Sequence, residues 1–385
     1  MYSSVMDFFS RARHWKLSSK GSYSVLSPTG RLPFSPKRAY LIVLAACATL
    51  FVLLHLRSLA SHVLPKVAPQ IFPRPEYLAV QDGTTTTTDE RYAYVTWLSN
   101  TVAANSRASE NFDDDLYFTA TRVLVWQLLH DPKTKTSGID VIVMVSPGVS
   151  EAHRERLRKD GAIVRAIENV HGQNDAWIVP KESRWDEIMS KLRAWEMVEY
   201  SRVLMLDGDT LLQSSLDDVF QDPGAQVMKT KPNFGQMSDE PELPEEYLLS
   251  SYQEMASTRH TWPPGDFDDC NHGYFNGGFF MLKPDKKMFD YYVGLLDIPY
   301  RFSPKYMEQN LLNYAHRWDG PMPWREVANT WNTKYTSDTD LAGGVVSMHE
   351  KFWKQRSGGN KLREFLLSKR QQMIGYYQAY DELED

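Results

Sequence analysis

Asp207 and Asp209 flank a single glycine at the end of the apolar run RVLML, within residues 202–220, RVLMLDGDTLLQSSLDDVF. Strand side chains alternate faces, so the two carboxylates point the same way if extended geometry persists through Gly208. Two carboxylates aimed at one point can share a cation. Hard divalent ions take carboxylate oxygens and keep positions open for phosphates, so the pattern suits metal-assisted handling of a nucleotide or phosphate. The same residues also suit a plainer role, a turn whose Asp and Thr side chains satisfy backbone donors ahead of a helix over 215–220.

The elements around the pair bear on that choice. YAYVTWL at 92–98 predicts a strand, 113–130 a helix opened by three acids, 139–145 a second strand and 150–159 a short capped helix. Residues 162–167 predict a third strand, 184–200 a helix and 202–206 a fourth strand. Alternation of this kind, with near-continuous apolar strands, predicts an α/β fold with a mostly parallel central sheet covered on both faces. Ligands of such sheets bind at the carboxyl ends of strands, where Asp207 and Asp209 stand.

After Phe220 the alternation breaks. Residues 230–272, rich in Pro, Asp and Glu, predict an insertion or lid over the site, with a helix near 245–255. HGYFNGGFFMLKP at 272–284 predicts a strand carrying a glycine pair, 286–296 and 306–318 predict helices, and VVSMHEKFW at 345–353 puts His349 near another strand end. Residues 362–380 predict a surface helix or tail.

The chain has 385 residues, enough for one large α/β domain beyond its N-terminal region. Residues 39–56, AYLIVLAACATLFVLLHL, contain no Asp, Glu, Lys or Arg. As a helix they would cover about 27 Å, close to the ~30 Å of a bilayer core. The preceding 38 residues carry seven Lys and Arg against one acid, Asp7, a net +6. The positive flank predicts a cytoplasmic tail at 1–38, a membrane anchor at 39–57 and translocation of the rest. A cleaved signal peptide is the rival reading, but the basic leader is long and no small-x-small pattern stands immediately after the apolar run, which Arg57 follows. Residues 58–90, with Pro65, Pro69, Pro73, Pro75 and the tract Thr84–Thr88, read as a stem.

Removing the leader's +6 from the chain's −6 leaves −12 on the remainder, which argues against a nucleic-acid partner. Cys47 falls in the apolar run and Cys270 stands alone beyond it, so no disulfide can form within the translocated part. The sequence contains no Asn-x-Ser/Thr acceptor.

Five separated segments together resemble the glycogenin-like glycosyltransferases of family 8: AYVTWLSN (93–100), the block 191–220, FNGGFFMLKP (275–284), EQNLLN (308–313) and the histidine of MHEKFW. The resemblance spans residues 92–354. It implies a single nucleotide-sugar-binding, Rossmann-like domain of GT-A type over 91–356, which leaves 357–385 as a C-terminal helix or tail, and a retaining transfer from a UDP-sugar. It also implies Mn2+, or Mg2+, on Asp207, Asp209 and His349, a set whose carboxylate and imidazole donors suit those ions. By the same resemblance Tyr94, Thr96 and Asn100 meet the uridine and ribose, and Lys191 the donor. Gly208 joins the two aspartates in binding the donor, Asn276 and Gly277 line the sugar pocket, and Glu308 with Gln309 lies near the anomeric carbon as catalytic residues.

Two departures stand out. Glu308 replaces the family's usual Asp. The family's run His-x-x-Gly-x-x-Lys-Pro-Trp is here His349-Glu-Lys-Phe-Trp-Lys, so the lysine contacting the diphosphate is Lys351 or Lys354. The sugar acceptor would be a glycan or glycoconjugate, with glucose or N-acetylglucosamine as the favoured donor sugar. The leader, span and stem would give a single-pass type II Golgi protein with a luminal catalytic domain, in which a homodimer is allowed. Two other classes stay open. One is a haloacid-dehalogenase-like phosphatase, which also ends a strand with Asp-x-Asp-Thr. The other is a non-catalytic sugar-nucleotide-binding relative, for which the two departures speak.

Overall fold

The structure, a computed structural model, describes residues 90–99, 112, 115–232, 234–265, 268, 270–354 and 359–384. The basic leader, the apolar span of 39–57, the stem up to 89 and Asn100 lie outside the described residues. Among the described residues no helix is long and apolar enough to cross a membrane.

Strands β1 (Tyr92–Leu98), β2 (Asp140–Val145), β3 (Ile163–Ala166) and β4 (Arg202–Asp207) form a parallel block in the order β3-β2-β1-β4. The chain then makes β5 (Thr210–Leu212) and five short strands: β6 (Met228–Lys229), β7 (Glu246–Tyr247), β8 (Leu249–Ser251), β9 (Gln253–Met255) and β10 (Cys270–Phe275). β11 (Phe279–Leu282), β12 (Arg325–Glu326), β13 (Asn332–Lys334) and β14 (Ser347–His349) follow. β11, β8 and β12 extend the parallel block to a seven-stranded sheet ordered β12-β8-β11-β4-β1-β2-β3, in which β11 alone runs against its neighbours. The sheet is therefore mostly parallel, as its apolar strands predict.

The helices are α1 (Leu116–Leu129), α2 (Glu151–Lys159), α3 (Lys286–Leu296), α4 (Met307–Ala315), α5 (Asp338–Gly343) and α6 (Asn360–Glu384). Side-chain caps set several starts. Asp115 accepts from the Tyr117 and Phe118 amides at 3.1 and 3.0 Å, Ser150 from that of His153 at 3.3 Å, and Asp285 from that of Lys287 at 2.8 Å.

Period-two alternation divides β1 between two cores. Ala93, Val95 and Trp97 pack with Leu192, Trp195 and the α3 and α4 residues Tyr292 and Leu311, whereas Tyr94 and Leu98 pack with Leu124, Leu128 and Phe220. β4 divides likewise: Val203 and Met205 face the first core, Leu204 and Leu206 the second. Asp207 thus continues the first face, toward the segment that carries Lys191.

Three expectations need correcting. Residues 184–200 form no α-helix but two 3-10 segments, Ser183–Trp185 and Ile188–Glu196. The Ser190 hydroxyl donates back to the Glu187 carbonyl at 2.5 Å while accepting from Trp97 Nε1 at 2.7 Å. With three residues per turn, Ile188 and Lys191 come to lie above one another.

Second, 245–255 is strand, not helix. β8 inserts between β11 and β12, and the Ser251 hydroxyl donates to the Phe279 carbonyl at 2.6 Å. Residues 230–272 are therefore not solely a lid, since they supply a strand of the central sheet. Third, of the surface helix or tail expected at 362–380 the chain forms the helix, which runs further than expected, Asn360–Glu384, and buries one face. Leu362, Leu366, Met373 and Tyr377 recur on one face and pack on Ala120, Val123 and Trp126. Lys369, buried, donates to Asp131 at 2.6 Å.

Candidate active site

The two aspartates stand beside different sheets. Asp207 closes β4 in the seven-stranded sheet, and Asp209 precedes β5, which pairs antiparallel with β14 in a separate sheet ordered β13-β14-β5. Gln127, buried, clamps the turn's far end by donating to the Leu212 carbonyl at 2.6 Å and accepting from its amide at 2.9 Å. The register of that small sheet sets His349 opposite Thr210, and the Glu350 amide donates to the Asp209 carbonyl at 3.1 Å. Residues 140 positions apart become neighbours through backbone pairing.

His349 Nε2 lies 3.0 Å from Asp209 Oδ1 and 3.6 Å from Asp207 Oδ2. One ligand atom from each of Asp207, Asp209 and His349 falls within 4.8 Å of the others. Asn276 fixes the tautomer. Its amide nitrogen donates to Glu254 at 3.0 Å, and its oxygen accepts from the Gly278 amide at 2.9 Å, so that oxygen can only accept from His349 Nδ1 at 3.2 Å. With Nδ1 carrying a proton, Nε2 faces the carboxylates. Metal-binding imidazoles are oriented in this way, and two carboxylates with an imidazole fit Mn2+ or Mg2+. Gly278 permits the approach: a Cβ there would stand 2.5 Å from His349 Cε1 and 2.7 Å from Asp207 Oδ2.

Each aspartate carries its own lysine. Lys191 Nζ donates to Asp207 Oδ1 at 2.6 Å, to Glu308 Oε1 at 3.0 Å and to the Gly277 carbonyl at 3.4 Å. Burial opposes the Lys191 ammonium, yet Asp207 and Glu308 hold its pKa above the ordinary lysine value. Burial pushes Glu308 up, and Lys191 offsets this only in part. Lys351 donates to Asp209 Oδ2. Although burial would raise Asp209, the Lys351 and His349 charges hold its carboxyl well below the usual carboxylate range.

These groups sit on a cavity of about 890 Å³ lined by Lys191, Asp207, Asn276, Gly277, Glu308, Gln309, His349, Lys351 and Lys354. An adjoining hollow of about 80 Å³ touches Trp97, Ser99, Gly208 and Asp209. Gln309 is held by protein partners: its oxygen accepts from the Gly277 amide at 2.8 Å, and its nitrogen donates to the Tyr274 hydroxyl at 2.9 Å. Glu308 is the second residue of α4, directly after Met307, whose φ is +45°, a strained value for a residue with a side chain.

Tyr94 and Thr96 do not join this group. They occupy the opposite face of β1 from Trp97, where the Tyr94 hydroxyl donates to Asp217 at 2.8 Å and Thr96 is buried. Both candidate lysines after the histidine reach the cavity, and of the two it is Lys351 that pairs with Asp209. Arg184, Trp185, Glu254, Tyr274, Tyr306, Lys334 and Tyr335 also line the cavity and went unread in the sequence. Glu254 and Lys334 pair with each other. The tyrosines and Trp185 carry no spacing signal, and Glu254 was hidden by the expected helix.

An uncharacterized protein of Schizosaccharomyces pombe is 27% identical over 298 residues, 70% of this chain and 76% of that protein. Galactinol synthase 6 of Arabidopsis thaliana is 30% identical over 185 residues, 46% of this chain and 51% of its own length, so the chain spans only about half of that relative. The crystal structure of the galactosyltransferase LgtC with donor and acceptor sugar analogues overlaps 73% of this chain and 95% of its own, at 16% identity and a TM-score of 0.42. The family model for glycosyl transferase family 8 matches residues 93–362, which takes in the aspartate pair, the glycine pair, Glu308 and His349, and the chain belongs to that family.

Proposed function

We propose that the protein transfers a hexosyl or N-acetylglucosaminyl group from a UDP-sugar to a glycan or glycoconjugate hydroxyl, with retention at the anomeric carbon and with Mn2+ or Mg2+ on Asp207, Asp209 and His349. The observation that carries this reading is the convergence of those three side chains within 4.8 Å at the wall of a nucleotide-sized cavity. When bound, the metal supplies a Lewis acid for the charge that develops on the departing diphosphate.

The chain's own residues do the rest. Lys191 keeps Asp207 and Glu308 paired at fixed distances, so a charged wall faces the sugar without reorganisation. Gln309 braces the Gly277 amide and thereby the loop that holds Asn276 against His349. Glu308 is the buried carboxylate available as a nucleophile, with same-face attack by the acceptor hydroxyl as the other retaining route. The apolar span and basic leader support a Golgi-membrane, luminal setting for this reaction.

The phosphatase reading has no support in the family match. A panel of UDP-sugars, including glucose, N-acetylglucosamine and, because of the galactinol synthase relatives, galactose, is scored for Mn2+-dependent hydrolysis with Asp209→Asn as control. One sugar hydrolysed by the wild type and not by the variant supports the proposal. Tight UDP binding without turnover of any donor points instead to the non-catalytic relative.

A further inference from the structure

The two lysines at the aspartate pair differ in how firmly they are held. Lys191 is 2% exposed and held from three sides, by Asp207, Glu308 and the Gly277 carbonyl. Lys351 stands two residues after His349, and among the described residues Asp209 is its one carboxylate ion-pair partner. Its other contacts are ring faces, with Tyr117 at 5.0 Å and Trp353 at 5.7 Å. The backbone beside it is fixed, since the Glu350 amide bonds Asp209 and the Lys354 amide donates to the Lys351 carbonyl at 3.0 Å. The ammonium can therefore move only by rotation of its four-carbon stem, a motion open to lysine.

The Lys351 ammonium and a divalent ion compete for one carboxylate. Asp209 Oδ2 accepts from Lys351 while Oδ1 lies against His349 Nε2, so an ion held by Asp209 and His349 meets like charge at short range unless the ammonium leaves. A place for it exists nearby. Arg184 donates to the Tyr117 hydroxyl at 3.0 Å, so Lys351 and Arg184 share one aromatic ring on the same cavity wall. An anion of two or more charges on that wall would draw both.

We infer that Lys351 is a resident counter-cation: it neutralises Asp209 before a divalent ion binds and passes to the donor diphosphate as the ion arrives, which couples metal binding to nucleotide binding. The inference rests on the nucleotide-sugar reading above. It predicts weak binding of metal alone and much tighter binding once UDP is present.

Calorimetric titration of the full-length chain in detergent with Mn2+, in the absence and presence of saturating UDP, tests it on the wild type, Lys351→Met and Lys351→Arg. Lys351→Met is expected to bind Mn2+ alone about tenfold more tightly than wild type, and to lose most of a UDP-induced gain that in wild type is about tenfold or more. Lys351→Arg, which keeps the charge, is expected to behave as wild type and shows that the methionine effect is electrostatic. Equal Mn2+ affinity and equal coupling in wild type and Lys351→Met overturn the inference and leave the UDP-sugar reading standing. UDP binding indifferent to Mn2+ in the wild type overturns it too, along with the metal but not the nucleotide. No UDP binding by any of the three proteins overturns the proposed function and this inference with it.

Discussion

The Asp207 side and the Asp209 side of the site differ in what holds them. Asp207 ends the fourth strand of a seven-stranded sheet, and its lysine is boxed in with a second carboxylate. Asp209 stands in the turn just before a three-residue strand of a three-stranded sheet, and its lysine sits on the segment after β14. The first side is over-determined by packing and charge, and the second is assembled by a few backbone bonds. A site that must grip an ion and a substrate and then release product gains from such asymmetry: a rigid wall sets position while the lighter one responds.

The sharpest way to break the comparison is to remove each carboxylate. Asp207→Asn and Asp209→Asn should each lower UDP-sugar hydrolysis by about 10²–10³-fold, the usual effect of losing one preorganised electrostatic group. Only Asp207→Asn should also lower the thermal midpoint clearly, because it strips the buried Lys191 of one of its two carboxylate partners. Equal stability losses in the two variants would show that the two sides are held alike. The lysines extend the same test. Lys191→Met leaves Asp207 and Glu308 facing each other without a cation, and a broken buried pair costs about 3–5 kcal/mol in denaturant unfolding. Lys351→Met should cost less, since Asp209 keeps His349 at 3.0 Å and the thioether packs on the Tyr117 and Trp353 rings.

Glycine substitutions give a finer contrast. Gly278→Ala drives a methyl to 2.5 Å from His349 Cε1 and 2.7 Å from Asp207 Oδ2, so it should weaken Mn2+ binding about 10–100-fold, as misorienting a ligand does. At Gly208 the added methyl meets Thr121 Oγ1 at 2.5 Å, a side-chain atom outside the ligand set. The loss should be smaller, and a titration of both variants with Mn2+ ranks them.

The heavier side is also the more legible one. β1, β2 and β4 are read correctly from sequence because strands buried on both faces appear as continuous apolar runs, and α2 because Ser150 marks its start. Family membership follows from five ordered segments, and the proximity of His349 to Asp209 is then explained by the register of β5 and β14. What was illegible is nonlocal. β8 is three residues long and exists because β11 and β12 flank it, and nothing in Leu249–Ser251 announces that. The facing of Tyr94 and Thr96 away from the cavity follows from which side Trp97 takes, a matter of one residue in phase. The Lys351 pair with Asp209 depends on the same small sheet.

The smallest predicted effect lies in the connection that carries this small sheet from β13 to β14. His260 Nε2 lies 3.1 and 3.0 Å from the two oxygens of Asp340, and Nδ1 faces the Ser257 carbonyl at 3.1 Å, so both ring nitrogens meet acceptors. Asp340 belongs to α5 and also receives the Ser337 amide in the cap of that helix. The hydrogen bond to Asp340 raises the His260 pKa above its ordinary value, more than burial lowers it. A raised pKa in the folded state gives stability that is fully present below the unfolded value of about 6.5 and is lost as pH rises through the folded value. The thermal midpoint of the wild type should therefore fall as pH rises above about 6.5, and His260→Gln should flatten that slope while leaving UDP binding at low pH unchanged. A slope that persists in His260→Gln would assign the titration to another group and leave the β13–β14 connection no weaker than the Asp207 side.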